Sequence, residues 1–131
     1  MKGLVKIPSD MSNLFRAENL IDELAEKLHL PDDLYANISV CVIEAVSNSI
    51  QHGNANDVTK LVLLEYTNDE NKLIFTISDE GSGFDLDNVP DPTLPENLEN
   101  FKGRGIFLIK NLSDKVSFEN RGSKIIIYFN L

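Results

Sequence analysis

The chain has 131 residues, 42% of them hydrophobic, which is enough for one globular domain with its own core. We therefore predict a single domain spanning residues 1–131. No apolar run approaches the ~20 residues of a membrane helix and no signal peptide is recognisable, so we expect no membrane insertion and a cytoplasmic location. The formal net charge of -9 argues against direct nucleic-acid binding, which relies on Lys and Arg, but a small nucleotide site needs only local donors.

The first half of the chain predicts one strand followed by two helices. Residues 2–7 alternate in polarity as a strand does, and residues 14–28 place apolar side chains at helical spacing. Pro31 fits the first turn of a second helix that ends near Gly53, a residue suited to a C-terminal cap. The only cysteine, Cys41, lies in the apolar middle of that helix, and we expect it in the core.

The second half predicts a mostly antiparallel sheet. Four segments have the composition of strands: residues 58–66, 72–78, 115–120 and 124–131. Residues 87–102 contain three prolines, so we predict a long loop of the kind that often forms a lid, and a helix begins at Ile106. This order predicts the α+β class, a two-layer sandwich with helices on one face of the sheet.

Two polar residues share one face of the apolar second helix. Glu44 and Asn48 are four positions apart, so their side chains lie one above the other. An unpaired buried polar group costs roughly 1–3 kcal/mol, so both need partners. The pair is either a satisfied polar contact within the core or a site whose partners are a metal ion, a water and a phosphate.

Two glycine-containing segments have a ligand-binding interpretation and a plain structural one. Asp79-x-Gly81-x-Gly83 follows a predicted strand, where the carboxylate can accept a hydrogen bond from an exocyclic amino group. Gly103-Arg104-Gly105 precedes a predicted helix, whose free N–H groups attract anions. Each segment alone is weak evidence, because tight turns use the same residues.

The ordered set of these features resembles the Bergerat-type ATP-binding fold of gyrase, heat-shock chaperone ATPases, histidine kinases and mismatch-repair ATPases. Within that group, residues 44–53 (Glu-Ala-Val-Ser-Asn-Ser-Ile-Gln-His-Gly) and 103–109 (Gly-Arg-Gly-Ile-Phe-Leu-Ile) resemble the anti-sigma-factor serine kinases of bacterial partner-switching systems. The resemblance extends over nearly the whole chain. It implies ATP and Mg²⁺ as cofactors.

The resemblance also implies a role for individual residues. Glu44 would activate the attacking hydroxyl, Asn48 would hold the Mg²⁺ that bridges the ATP phosphates, and Asp79 would bind the adenine amino group. The other positions that it assigns to the nucleotide are Gly81, Gly83, Lys102, Gly103, Arg104, Gly105 and Ser123. His52 matches a family position too, and it is either a ligand or a histidine that interacts with the helix end.

The activity implied by the resemblance is that of a protein serine/threonine kinase. Its substrate would be a serine of a small anti-anti-sigma protein, it would also sequester a sigma factor, and a homodimer is compatible with the family. One alternative is a module that binds ATP without transferring phosphate, although Glu44 argues against it because a pure binder needs no base there. A detached histidine-kinase domain and the gyrase-like ATPases fit less well, because we expect no phospho-acceptor helix domain and no transducer domain.

Overall fold

The structure is a computed structural model that describes residues 1–81 and 101–131, and for residues 101–104 the backbone alone. Its strands and helices are β1 (Lys2–Pro8), α1 (Phe15–Leu28), α2 (Asp32–Asn48), β2 (Leu61–Asn68), β3 (Lys72–Ser78), α3 (Phe101–Leu112), β4 (Lys115–Glu119) and β5 (Lys124–Asn130). A π-helical turn, Ser49–Gly53, continues α2 beyond Asn48. Within the described ranges, no helix combines the length and the apolar character that crossing a bilayer requires.

The five strands in the described ranges form one antiparallel sheet in the order β1-β2-β3-β5-β4. Alternate residues of β3, namely Leu73, Phe75 and Ile77, are fully buried because they face the helices. The rings of Phe75 and Phe129 meet edge to face across β3 and β5, 6.1 Å apart. Within the residues that the structure describes, three helices pack against an antiparallel sheet, which confirms the predicted α+β class.

The helices bury the faces that the sequence pattern predicts. The inner residues of α1 are all buried, namely Ala17, Leu20, Ile21 and Leu24. Cys41 of α2 is completely buried, as expected of a core residue, and burial raises the pKa of its thiol to about 12. A neutral, inaccessible thiol does not act as a nucleophile at physiological pH.

The strand predicted from Val58 begins only at Leu61. The Asp57 carboxylate accepts hydrogen bonds from the Thr59 backbone N–H at 3.0 Å and from its hydroxyl at 2.6 Å. These contacts fold residues 57–60 into a turn and leave Val58 57% exposed. The side-chain hydrogen bonds of Asp57 therefore override the strand propensity of the residues that follow it.

Helix α3 begins at Phe101, five residues before the predicted start at Ile106. The prediction that Gly103-Arg104-Gly105 precedes the helix was therefore wrong, since all three residues are helical. The earlier helix start is explained by packing: glycine has no side chain, so Gly105 lets α3 lie directly on α2. Of the predicted lid, residues 87–100 lie outside the described residues, and the last two belong to α3.

Candidate functional site

A cavity of about 660 Å³ lies between α2, the π-helical turn and α3. The residues that line it are Glu44, Ser47, Asn48, Gln51, His52, Asn56, Gly105 and Leu108. The cavity therefore brings Glu44 and Asn48 together with Gly105, a residue that is distant in the sequence. This volume is within the range of small-molecule sites in proteins.

The polar pair of α2 has no partner within the described part of the chain. Asn48 is only 8% exposed, and its Nδ2 is buried without a hydrogen-bond acceptor there. Glu44 is partly exposed toward the cavity, and no hydrogen bond to its carboxylate is found among the described residues. A satisfied polar contact within the core would show such bonds, so the geometry favours the interpretation as a ligand site.

Gly105 packs against both members of this pair. A Cβ at position 105 would lie 2.9 Å from Glu44 Oε2 and 2.9 Å from Asn48 Nδ2, closer than real Cβ atoms come. The N–H of Gly103 belongs to the first turn of α3 and has no acceptor inside the helix. In a regular helix the N–H of Gly105 is already bonded to the carbonyl oxygen of the residue four positions earlier. Gly103 is thus the better placed of the two predicted phosphate donors, and Gly105 allows the helices to approach.

Asp79 lies just beyond β3 and is held by backbone contacts. Its Oδ1 accepts the Gly81 N–H at 2.8 Å, and its own N–H donates to the Ser123 carbonyl oxygen at 2.9 Å. Ser123 is near Asp79 because Ser78 pairs with Lys124 across β3 and β5. The Ser123 hydroxyl donates to the Asn120 carbonyl oxygen at 2.9 Å.

The predicted site residues therefore form two groups. Asp79, Gly81 and Ser123 are close to one another but do not line the 660 Å³ cavity. The π-helical turn Ser49–Gly53 connects the groups, because it begins directly after Asn48 and ends at Gly53, which packs against Asp79. Gly83 lies outside the described residues, as do the side chains of Lys102 and Arg104.

Sequence reasoning missed several residues around these groups. Ser47 and Gln51 line the cavity at positions i+3 and i+7 from Glu44, so extending the helical periodicity would have found them. Asn54, in the turn after the π-helical segment, was not predicted to have any role, and only 1% of it is exposed. No sequence signal indicates its environment, because its hydrogen-bond partners, Ser9, Leu61 and Glu80, come from three distant parts of the chain.

Comparisons with known proteins identify the family. The family of the histidine kinase-like ATPase domain matches residues 7–129. The chain is 24% identical over 129 residues to a serine-protein kinase RsbW of Oceanobacillus iheyensis, covering 94% of this chain and 82% of that protein. It is 33% identical over 97 residues to an anti-sigma F factor of Clostridium perfringens, covering 70% of this chain and 69% of that protein.

A solved histidine kinase domain from a blue-light activated kinase of Erythrobacter litoralis shares the fold. Its TM-score is 0.54 at 20% identity, over 95% of this chain, and this chain spans 61% of that one. The family match, the two relatives and the shared fold all agree with the resemblance seen in residues 44–53 and 103–109. The chain therefore belongs to the histidine kinase-like ATPase domain family, in the group of the anti-sigma-factor serine kinases.

Proposed function

We propose that this protein is an ATP-dependent serine/threonine-protein kinase that also acts as an anti-sigma factor. Its substrate is a serine of a small anti-anti-sigma protein, and its second partner is a sigma factor that it sequesters. The observation that carries the proposal is the convergence of Glu44 and Asn48 at one cavity with no partner for either among the described residues. The names of the relatives, a serine-protein kinase and an anti-sigma factor, support a protein serine as the phosphate acceptor and a sigma factor as the partner, and the anti-anti-sigma substrate rests on the resemblance.

Glu44 has the position and environment of a general base. Its carboxylate is partly exposed at the cavity, and within the described residues no hydrogen bond occupies it. A carboxylate in this state can accept the proton of an incoming serine hydroxyl as that oxygen attacks. Because the group stays in contact with the cavity, the proton can then leave to solvent.

Asn48 is the residue that would hold Mg²⁺. The Nδ2 of its buried amide has no hydrogen-bond partner among the described residues, and turning the amide group by 180° would put Oδ1 in that place. Oxygen is the ligand atom that Mg²⁺ prefers. Mg²⁺ is usually bound through few protein ligands together with substrate phosphates, so Asn48 would act beside the phosphates of ATP. Bound there, Mg²⁺ would neutralise the charge that develops on the ATP phosphates during transfer.

The remaining residues bind and orient the nucleotide in this proposal. Asp79 accepts a hydrogen bond from the adenine amino group, Ser123 contributes its hydroxyl nearby, and Gly81 holds the Asp79 carboxylate through its backbone N–H. The N–H of Gly103, which has no acceptor within α3 itself, donates to a phosphate oxygen. Lys102 and Arg104 add positive charge at the start of α3. Gly105 shapes the phosphate side of the site by letting α3 approach Glu44 and Asn48, and Gly83 belongs to the adenine side.

Two further parts of the proposal concern assembly and location. We place the protein in the cytoplasm, where sigma factors act. We include a homodimer because β1 forms an edge of the sheet and exposes half of the Leu4 side chain there. Analytical ultracentrifugation with and without ATP tests the dimer directly.

Phosphate transfer tests the activity. The protein is incubated with Mg²⁺, ATP labelled at the γ-phosphate and a small antagonist-type protein encoded beside it, and ATP affinity is measured by calorimetry. The variants are Glu44→Gln, Asn48→Ala and, as a matched control on the exposed side of α1, Glu23→Gln. Label on a serine of the partner, lost in Glu44→Gln while ATP binding persists, supports the kinase.

Two other outcomes would overturn the proposal. ATP binding that depends on Asn48 without transfer to any antagonist would leave a nucleotide-dependent binding module. If the wild-type protein does not bind ATP, the proposed nucleotide site is wrong altogether. Sequestration is measured separately, as comigration of a purified sigma factor in the presence of ATP and its release by the unphosphorylated antagonist.

A further inference from the structure

We propose that Gly53 and Asn54 position Asp79 and thereby set the preference of this protein for adenine nucleotides. We call this pair the brace. The inference rests on the proposed function, because it assigns a role to residues that touch Asp79 rather than the nucleotide. Neither residue of the brace lines the cavity between α2 and α3.

Gly53 fixes how closely the Asp79 carboxylate approaches the end of the π-helical turn. A Cβ at position 53 would overlap the carboxyl carbon of Asp79 and would lie 2.7 Å from Oδ1. Gly81 completes the contact, because a Cβ there would overlap the Gly53 carbonyl and lie 2.9 Å from Asp79 Oδ1. The Asp79 carboxylate is thus enclosed between two glycine backbones, and any side chain at 53 would displace it.

Asn54 ties the segment around Asp79 to the rest of the fold. Its Oδ1 accepts the backbone N–H of Glu80 at 2.8 Å, and its Nδ2 donates to the Leu61 carbonyl oxygen at 3.1 Å and to Ser9 Oγ at 2.9 Å. The three partners belong to the loop after β3, the start of β2 and the end of β1. A second link runs in parallel, since Glu80 Oε2 accepts the Leu61 N–H at 2.7 Å.

The partners leave only one orientation for the Asn54 amide. A backbone N–H must donate, so Glu80 requires the oxygen, and a carbonyl must accept, so Leu61 requires the NH₂ group. The Ser9 hydroxyl already donates to the Lys60 carbonyl oxygen at 2.7 Å and is therefore the acceptor of the second Asn54 hydrogen. A buried amide with every hydrogen bonded holds its neighbours rigidly.

The brace therefore determines where the Asp79 carboxylate points. Asn54 holds the residue after Asp79 through its backbone, and Gly53 limits the space of the side chain itself. A hydrogen bond to an exocyclic amino group needs a donor–acceptor distance near 3 Å, so a shift of about 1 Å removes most of its strength. Loosening the brace should weaken the contact with the amino group and spare the contacts with the phosphates.

The test compares ATP with inosine triphosphate, which carries a carbonyl oxygen in place of the adenine amino group. Binding of both nucleotides is measured for wild type, Gly53→Ala, Asn54→Ala and Asp79→Asn. Gly53→Ala keeps every backbone donor and acceptor of residue 53, and alanine favours a helical backbone more than glycine does, so the change acts through the collision with the Asp79 carboxylate. We expect ATP binding to weaken by about tenfold or more, binding of inosine triphosphate to change little, and the preference for ATP to disappear as in Asp79→Asn.

Two control variants separate positioning from general loss of structure. Gly3→Ala introduces a similar collision, with the Tyr66 ring, at the opposite end of the sheet. Ser9→Ala removes one acceptor of the Asn54 amide and leaves its bond to Glu80. Both should keep the wild-type ratio of the two affinities, and urea denaturation reports the stability of every variant.

The possible results distinguish this inference from the proposed function. An unchanged ATP preference in a folded Gly53→Ala protein, or an equal loss of affinity for both nucleotides, would overturn the brace alone. If Gly53→Ala does not fold, the ratio measured for Asn54→Ala decides in the same way. A wild-type protein that binds neither nucleotide, or binds both equally, would overturn the assignment of Asp79 and the brace with it.

Discussion

The backbone of Gly105 lies so close to the Asn48 side chain that a Cβ on Gly105 would come within 2.9 Å of Nδ2. This contact joins α3 to the face of α2 that carries the candidate catalytic residues. It also explains why Asn48 is 8% exposed although it borders a cavity. The placement of α3 and the availability of the Asn48 amide are therefore coupled.

Gly105→Ala should impair phosphate transfer by at least about tenfold, because the added methyl group displaces Glu44, Asn48 or both by a few tenths of an ångström. Transfer to the antagonist protein and ATP affinity are measured together. The matched control is again Gly3→Ala, whose Cβ meets a ring far from the cavity. Full activity of a folded Gly105→Ala protein would contradict the close contact between α3 and the Glu44–Asn48 pair.

Asn48→Leu should abolish ATP binding without destabilising the fold. The buried Nδ2 of Asn48 has no acceptor among the described residues, so an apolar side chain of similar size relieves an unsatisfied group. We expect the free energy of unfolding to stay constant or to rise by about 1 kcal/mol, measured by urea denaturation. Such an exchange of stability against function is typical of ligand sites.

The control for this prediction is Asn54→Leu, at the other buried asparagine of the same region. Its amide makes three hydrogen bonds, and a leucine leaves the Glu80 N–H and the Leu61 carbonyl oxygen without their partner. We expect a loss of at least about 2 kcal/mol in the free energy of unfolding. A similar loss for Asn48→Leu would mean that the Asn48 amide is satisfied after all.

The fold could be predicted where local periodicity reports burial. Leu73, Phe75 and Ile77 alternate along β3 and all are fully buried, and the helical spacing of residues 14–28 reappears as α1. The juxtaposition of Glu44 and Asn48 followed from helical geometry alone. In each case the spacing of residues in the sequence directly gives the face of the helix or strand on which they lie.

The rest depends on contacts between distant segments. The start of α3 was misplaced because glycines disfavour a helix, whereas here Gly105 is needed for the approach to α2. The contact of Gly53 with Asp79 depends on the π-helical turn, a rare structure with no sequence signature that could have been recognised. Tertiary packing decided both positions.

A core substitution tests the orientation of the sheet. Phe75 and Ile74 are neighbours in β3 on opposite faces, and Phe75 is fully buried against Phe129. Phe75→Ala should lower the free energy of unfolding by about 3–5 kcal/mol, because it leaves a cavity in the core. Ile74→Ala, on the other face, is the control and should cost clearly less in the same denaturation experiment; equal losses would mean that the outer face is covered as well.

Cys41 should make the stability of the fold depend on alkaline pH. Burial raises the pKa of its thiol from 9.0 to about 12, so between these values the folded chain keeps a proton that the unfolded chain has released. The free energy of unfolding contributed by this group is complete below pH 9 and is lost as the pH rises toward 12. The slope should approach about 1.4 kcal/mol per pH unit.

Cys41→Val provides the comparison, since valine nearly matches cysteine in volume and does not ionise. Both proteins are denatured with urea at several pH values from about 8 to about 10, a range that includes the ordinary thiol pKa of 9.0. The difference between their free energies of unfolding isolates the contribution of Cys41, because the lysines and tyrosines titrate in both proteins and their effects cancel. The wild-type protein should lose stability more steeply above the ordinary thiol pKa of 9.0. Parallel curves would show that the Cys41 thiol ionises as readily in the folded chain as in the unfolded one, in contradiction to its complete burial, in which its Sγ lies 4.0 Å from the Ile109 carbonyl oxygen of α3.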